Sequence, residues 1–154
     1  MITPRNLAVT GVTALVAIGV VGAAVPLVSD WYQGRHTQNS SYTSARDAKN
    51  DQRTFPRWVP DAATDVKYQM RTTGGDRLVR ATLPSASLPA DCTPYKPSTD
   101  VSGPALKAAW FPEDTAREPT TRCGQYYVSL QGSTLYAWQT DADWIAENKA
   151  RRDK

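Results

Sequence analysis

The chain has 154 residues and a formal net charge of +3 at pH 7, with 18 basic and 15 acidic side chains. The basic residues are spread along the chain and do not form the cluster of positive charge that is usual in nucleic-acid-binding proteins. The single histidine, His36, and the two cysteines are too few for a typical zinc site. We therefore expect no metal, no cofactor and no nucleic-acid partner.

The first predicted element is an apolar stretch from Leu7 to Val28 that contains no charged residue. Hydrocarbon offers no hydrogen-bond partner to a bare backbone, so a segment that crosses a bilayer is a helix of about 20 apolar residues. Arg5 precedes the stretch, and the positive-inside rule places residues 1–6 in the cytoplasm. We predict a transmembrane helix at 7–28 that acts as a signal anchor, in a single-pass protein of the cell membrane with an extracytoplasmic C-terminal domain.

A cleaved signal peptide is the alternative interpretation of the same stretch. The small residues Gly22, Ala23 and Ala24 offer a cleavage site, and cleavage there would give a secreted domain. The apolar run is long for a signal peptide and only one arginine precedes it, so the pattern favours the anchor.

Residues 29–56 are predicted to form a polar tether between the membrane and a folded domain at 57–145. From residue 33 onwards, Tyr42, Phe55 and scattered alanines are the main apolar material of this segment. No apolar stripe of helical or strand period runs through it. Such a composition is typical of a flexible or partly helical linker.

A first hairpin is predicted between Asp65 and Leu83, because apolar and polar residues alternate on both sides of Gly74-Gly75. A two-residue turn there would pair Thr73 with Asp76. One face would then be apolar, formed by Val66, Tyr68, Met70, Val79, Ala81 and Leu83. The other face would be wet and basic, with Leu78 as the exception. We take Lys67, Arg71 and Arg80 as a candidate surface for an acidic partner or wall polymer, and the alternative is an ordinary solvated outer face.

A second hairpin is predicted between Gln125 and Thr140, with Gly132-Ser133 as its turn. This register pairs Gln131 with Thr134 and sets Tyr127 opposite Trp138. The face that bears Tyr127, Tyr136 and Trp138 is a candidate binding face for sugar rings or for a protein. The alternative is that the proline-rich segment 84–122 covers this face and makes a second core layer.

The two cysteines, Cys92 and Cys123, lie beyond the anchor, and an even pair in an oxidising compartment predicts one disulfide. Between them a short helix is predicted from Ser102 or Gly103 to Pro112. The fold class is therefore α+β: one N-terminal transmembrane helix, then a small antiparallel-sheet domain. Its sheet would have two hairpins and about four strands, with one or two short helices and one disulfide.

The C-terminal segment from Asp141 is predicted to be helical, with acidic residues first and basic residues last, as the helix dipole favours. Trp144 and Ile145 are its only large apolar residues. We therefore place the domain boundary after residue 145 and expect residues 146–154 to be a basic tail.

No catalytic arrangement is recognised in the sequence. A Ser-His-Asp or Cys-His site needs a histidine within a folded site, whereas His36 lies in the predicted tether. Acidic residues that are close in sequence are interpreted as caps and turn residues; they are Asp61 with Asp65, Glu113 with Asp114, and Asp141 with Asp143. We expect no catalytic residue.

The sequence thus favours a non-catalytic, membrane-anchored extracytoplasmic binding or accessory protein. Besides the bilayer, its expected partner is another membrane or envelope protein. One alternative is a cell-wall glycan-binding module that uses the aromatic sheet face on wall polymer. A second alternative, of another class, is an envelope enzyme or enzyme inhibitor.

Overall fold

An antiparallel sheet of seven strands forms the centre of the folded region. The computed structural model describes residues 34–96, 103–117 and 119–154, and the elements named below lie in the compact unit 37–154. The strands are β1 (Thr37–Ser44), β2 (Thr64–Arg71), β3 (Arg77–Thr82), β4 (Cys92–Pro94), β5 (Thr121–Cys123), β6 (Tyr126–Gln131) and β7 (Thr134–Gln139). In space they follow the order β1-β2-β3-β7-β6-β5-β4. The predicted antiparallel-sheet domain is confirmed, but the prediction of four strands is wrong, because β1, β4 and β5 extend the sheet beyond the two hairpins.

The helices of this unit are α1 (Ala45–Asp51), a short 3-10 helix (Glu113–Arg117) and α2 (Asp141–Arg152). The predicted transmembrane helix, Leu7–Val28, lies outside the described residues. Within the described residues, no helix is long and apolar enough to cross a membrane.

The second hairpin has the predicted register. Gln131 pairs with Thr134 and Tyr127 with Trp138. Gly132 begins the turn with a φ of 61°, a left-handed conformation that glycine adopts without steric cost. The two tight turn residues therefore determine the pairing of the whole hairpin.

The first hairpin has a longer turn than predicted. Met70 pairs with Arg77, and the Arg71 backbone N–H donates to the Asp76 carbonyl at 3.1 Å. The predicted pairing of Thr73 with Asp76 is therefore wrong by two residues. A shift of two residues preserves the period of side-chain alternation, so the predicted division into two faces survives.

One face of the sheet packs against α1 and the chain that follows it. The sheet side of this core includes Val66, Tyr68, Val79, Ala81, Tyr126, Val128, Leu135 and Ala137. Its covering residues include Ala45, Ala48, Phe55, Val59 and Ala63. Burial of such apolar surface contributes about 25 cal/mol per Å², so this layer is the main source of the domain's stability.

The opposite face carries a second, smaller core. Leu78, Tyr127 and Trp138 lie on the sheet, and Leu106 and Phe111 cover them from the segment before β5. The sheet is thus covered on both faces in its β3-β7-β6 part.

Residues 37–56, which the sequence analysis placed in a polar tether, contain β1 and α1. β1 has the polar sequence TQNSSYTS and has only β2 as a neighbour in the sheet. Ser44 caps α1 by accepting a hydrogen bond from the Asp47 backbone N–H at 3.2 Å, and α1 buries only Ala45 and Ala48. A polar edge strand and a short helix that buries two alanines leave no apolar stripe in the sequence. Neither β1 nor α1 could therefore be predicted from the spacing of apolar residues.

One helix prediction differs from the structure, and the predicted C-terminal helix is confirmed but conflicts with the predicted domain boundary. The helix expected up to Pro112 is not formed over residues 103–112, where Leu106 is buried but Ala109 is exposed, contrary to a shared helical face. At the C-terminus, α2 continues from Asp141 to Arg152, so the boundary placed after residue 145 falls inside one helix.

Candidate functional site

The aromatic side chains predicted as a binding face are largely buried. Trp138 has no exposed surface and Tyr127 is 7% exposed, while Tyr136 is half-buried. Phe111 covers them in T-shaped contacts, with ring centroids 5.6 Å from Tyr136 and 6.1 Å from Trp138. The face has the geometry of the alternative interpretation, a second core layer, and Trp138 presents no open ring on which a sugar could stack.

A small charged cluster holds the edge of this second core. The Arg122 guanidinium lies over the Tyr127 ring, 4.3 Å from its centroid, and its Nη2 is 3.7 Å from Asp143 Oδ1. The Tyr127 hydroxyl donates to the same carboxylate oxygen at 3.4 Å. Burial raises the pKa of the Tyr127 phenol, and the nearby Arg122 charge partly offsets that rise. The cluster joins β5 and β6 to the first turn of α2.

The predicted basic face exists as a face, but its cations have partners within the chain. Lys67 and Arg80 are directly opposite each other on β2 and β3. Lys67 donates to the Ser41 hydroxyl at 3.3 Å, and Arg80 is 3.2 Å from a carboxylate oxygen of Asp65. Arg71 pairs with Asp76 at 3.2 Å. The ion pairs of Arg71 and Arg80 reduce the charge that the face presents to an acidic partner.

The disulfide between Cys92 and Cys123 is confirmed. The two residues are directly opposite each other in the β4–β5 pair, with their Cα atoms 4.3 Å apart. The bond therefore fastens β4, a three-residue strand at the edge of the sheet, to β5.

At least one member of each acidic pair noted in the sequence has an intramolecular partner. Lys49 donates to Asp61 Oδ1 at 2.7 Å, and this hydrogen bond is the main reason that the pKa of the Asp61 carboxyl is lowered. Glu113 pairs with Lys107 at 3.3 Å. Asp143 donates its backbone N–H to the Thr140 hydroxyl at 3.2 Å, the usual contact of a helix N-cap.

A buried polar network joins the turn of the first hairpin to the start of α2. The Gly75 backbone N–H donates to Asp141 Oδ1 at 2.6 Å, and the Asp141 N–H donates to Asp76 Oδ1 at 3.0 Å. The Gln139 side-chain amide donates to the Gly75 carbonyl at 2.6 Å. Asp76 and Gln139 are 3% and 5% exposed, so these bonds form in a medium of low dielectric constant, where they are strong.

Helix α2 buries none of its own residues, although its base is firmly attached. Its large apolar side chains, Trp144 and Ile145, are 39% and 52% exposed. Trp144 lies against the turn so closely that a Cβ added at Gly75 would be 2.4 Å from the Trp144 Cβ. The helix therefore leaves the sheet from a fixed origin and presents its sides to solvent.

A groove of about 500 Å³ lies between α2 and the chain around Trp58. On the helix side it is lined by Trp144, Glu147, Asn148 and Arg151, which are spaced to share one helical face. The facing wall includes Trp58 and Tyr126, whose rings are in T-shaped contact with centroids 5.9 Å apart. Burial raises the pKa of the Tyr126 phenol well above its ordinary value. The groove combines aromatic walls with polar groups at its rim, as ligand sites commonly do.

This groove is not among the sites predicted from the sequence. Trp144 is expected there only as one of the two large apolar residues of the C-terminal helix, and Trp58 is not singled out. Trp144, Glu147, Asn148 and Arg151 lie at positions i, i+3, i+4 and i+7, which is the spacing of one helical face. Nothing local in the sequence indicated that this face would oppose Trp58.

Among the described residues, no group of three or more histidine, cysteine, aspartate or glutamate side chains is arranged to hold a metal ion. Comparisons with protein-family models, with curated proteins and with solved structures find no match. The function is therefore inferred from the geometry of the groove and its surroundings.

Proposed function

We propose that the chain is a non-catalytic binding or accessory protein, anchored in the membrane by Leu7–Val28, with its folded domain outside the cytoplasm. Its partner is another membrane or envelope protein. The observation that carries the proposal is that α2 is attached to the domain through a buried polar network yet buries none of its own residues.

An isolated helix of 12 residues is marginal in water, because most helical stability in proteins comes from packing. Here the attachment at Gly75, Asp76 and Asp141 fixes the origin of the helix without covering its sides. Trp144 and Ile145 stay accessible at a fixed position beside the groove. Exposed aromatic and aliphatic side chains on a rigid element are typical of protein contact surfaces.

The membrane anchor adds to this proposal. A span that holds the domain at the bilayer raises the effective concentration of the groove near other membrane proteins. A modest contact surface is then sufficient for association. The glycan-binding alternative has less support, since Trp138 is buried under Phe111, and no observation in the described part of the chain favours the enzyme or inhibitor alternative.

Co-purification of the full-length chain from native membranes in mild detergent tests the proposal. We expect a specific membrane or envelope protein to be retained by the wild-type chain and lost, by fivefold or more, with Trp144→Ala. The matched control is Trp110→Ala, which alters a half-buried tryptophan of the second core, away from the groove. Equal retention by wild type and Trp144→Ala, or retention of no specific protein, would contradict the proposal.

A further inference from the structure

Arg77 is a buried cation that has no carboxylate partner among the described residues. The residue is 7% exposed, and its Nη1 donates to the carbonyl oxygens of Gly74 at 2.8 Å, Asp76 at 2.9 Å and Arg71 at 3.3 Å. The carboxylate of Asp76 pairs with Arg71, and no carboxylate of the described residues lies within 4.0 Å of Arg77. Buried charges in proteins are usually paired. The Arg77 charge is unusual because backbone carbonyls compensate it, and no carboxylate of the described residues does.

Arg77 is part of the lining of the groove beside α2. Arg57, at the rim, donates to the Lys49 carbonyl at 3.0 Å. Its charge contributes, less than that of Lys49, to the lowered pKa of the Asp61 carboxyl, although no carboxylate of the described residues lies within 4.0 Å of it. Arg151 pairs with Glu147 at 3.4 Å, and Glu147 is the one acidic residue among the described residues that line the groove. The groove therefore has an excess of positive charge that comes from Arg57 and Arg77.

The remaining lining fits a peptide. Gln125 and Asn148 offer side-chain amides that can bond to peptide N–H and C=O groups. Trp58 and Trp144 flank the groove with aromatic surface, and the Trp58 Nε1–H is buried and donates to no atom of the described residues. An extended acidic segment would meet polar, aromatic and cationic groups together.

We infer that the groove binds an acidic peptide segment, whose carboxylate is recognised by Arg77 and Arg57. The inference rests on the proposed function and specifies the chemistry of the partner. Hydrogen bonds between guanidinium and carboxylate are about twice as strong as neutral ones. A concave site also focuses the positive potential and favours encounter with an anionic segment.

Fluorescence anisotropy with the full-length chain in non-ionic detergent tests the inference. The probes are fluorescein-labelled tetraglutamate and its uncharged match, tetraglutamine, at low ionic strength. We expect tetraglutamate to bind at least tenfold more tightly and to be released by added salt. Equal affinities for the two peptides would overturn the inference.

Variants locate the binding at the groove. Arg57→Gln, at an exposed position, should weaken tetraglutamate binding at least fivefold, whereas Arg53→Gln, exposed and outside the groove lining, should leave it unchanged. Arg77→Lys keeps the charge but loses the planar donor set, and it should weaken binding if circular dichroism shows that the domain is folded. Arg77 also donates hydrogen bonds to carbonyls of the hairpin turn, so Arg77→Lys could unfold the domain. In that case the tetraglutamate affinity of Arg57→Gln is the deciding measurement. Equal effects of Arg57→Gln and Arg53→Gln would overturn the inference.

Competition separates a peptide from other anions. Displacement of tetraglutamate at equal charge concentration by inorganic phosphate, or by phosphatidylglycerol added to the detergent micelles, would show a general anion site and overturn the assignment of a peptide. If a partner protein is captured by the wild-type chain and lost with Trp144→Ala, but tetraglutamate binds no more tightly than tetraglutamine, this inference alone is overturned. Preference for tetraglutamate without any partner would overturn the proposed function alone.

Discussion

The backbone N–H of Gly75 donates a hydrogen bond of 2.6 Å to the side chain of Asp141, 66 residues further along the chain. This contact joins the turn of the first hairpin to the first residue of α2. With the reciprocal bond from the Asp141 N–H to Asp76, it fixes the direction in which α2 leaves the sheet. The groove exists because this direction brings Trp144 opposite Trp58.

Gly75→Ala should destabilise the domain by about 1–3 kcal/mol, because the new Cβ would lie 2.4 Å from the Trp144 Cβ and 2.6 Å from its Cγ. Urea-induced unfolding followed by circular dichroism measures the change. The matched control is Gly103→Ala, whose added Cβ would meet nothing within 4 Å; it should change the free energy of unfolding by less than about 0.5 kcal/mol. Similar stability of both variants would contradict the close packing of α2 on the turn.

Asp76→Ala should lower the free energy of unfolding by about 3 kcal/mol. The variant removes a buried carboxylate that accepts from the Asp141 N–H at 3.0 Å and pairs with Arg71 at 3.2 Å. Amide hydrogen exchange should also accelerate throughout α2. Glu113→Ala, which breaks the exposed pair with Lys107, is the control and should cost less than about 1 kcal/mol. Unchanged exchange in α2 after Asp76→Ala would show that the helix is held by other contacts.

Replacement of both Cys92 and Cys123 by serine should lower the free energy of unfolding by about 3–4 kcal/mol, since the bond closes a loop with a sequence separation of 31. The same loss is expected for the wild-type chain unfolded in the presence of a reductant. The double variant should be insensitive to the reductant. A reductant effect of equal size on wild type and variant would mean that it does not act through this bond.

The domain should lose stability as the pH rises above about 10. Burial, and then the neighbouring Tyr68, raise the pKa of Tyr126 well above its ordinary value in the folded state, whereas in the unfolded chain the pKa is about 10. Between these values the unfolded state has released the proton and the folded state has not, so stability falls with pH. Tyr126→Phe should weaken this alkaline dependence, measured by urea unfolding at pH 8 and pH 11. An identical pH dependence in the variant would contradict the assignment to Tyr126.

The hairpins were predictable because their information is local. Alternation on both sides of Gly132-Ser133 determines the register, and the Gly74-Gly75 alternation determines the faces even though the turn is longer. β1 and α1 were not predictable in this way, since their polar sequence is stabilised by contacts with distant residues, such as the bond from the Ala45 N–H to the Ala63 carbonyl at 2.8 Å. β4 and β5, at three residues each, are too short to show a period.

The candidate functional surfaces could likewise be predicted only as far as local sequence patterns determine them. The sequence assigned Tyr127 and Trp138 to one face, but whether the segment that contains Phe111 would cover that face depends on tertiary packing. The groove depends on long-range contacts at Gly75 and Asp141, which no local pattern reveals. In the sequence, Arg77 is indistinguishable from an ordinary polar residue of a strand. Only the fold shows that it is buried and that no carboxylate of the described residues pairs with it.

Site-specific photocrosslinking in native membranes tests most directly whether the groove is the surface that meets the partner. A photoreactive amino acid replaces Asn148, in the groove, or Lys107, an exposed control position outside its lining. We expect a discrete protein adduct from position 148 that is absent from position 107 and is reduced by Arg57→Gln in the same chain. No adduct from position 148, or adducts of equal yield from both positions, would contradict it.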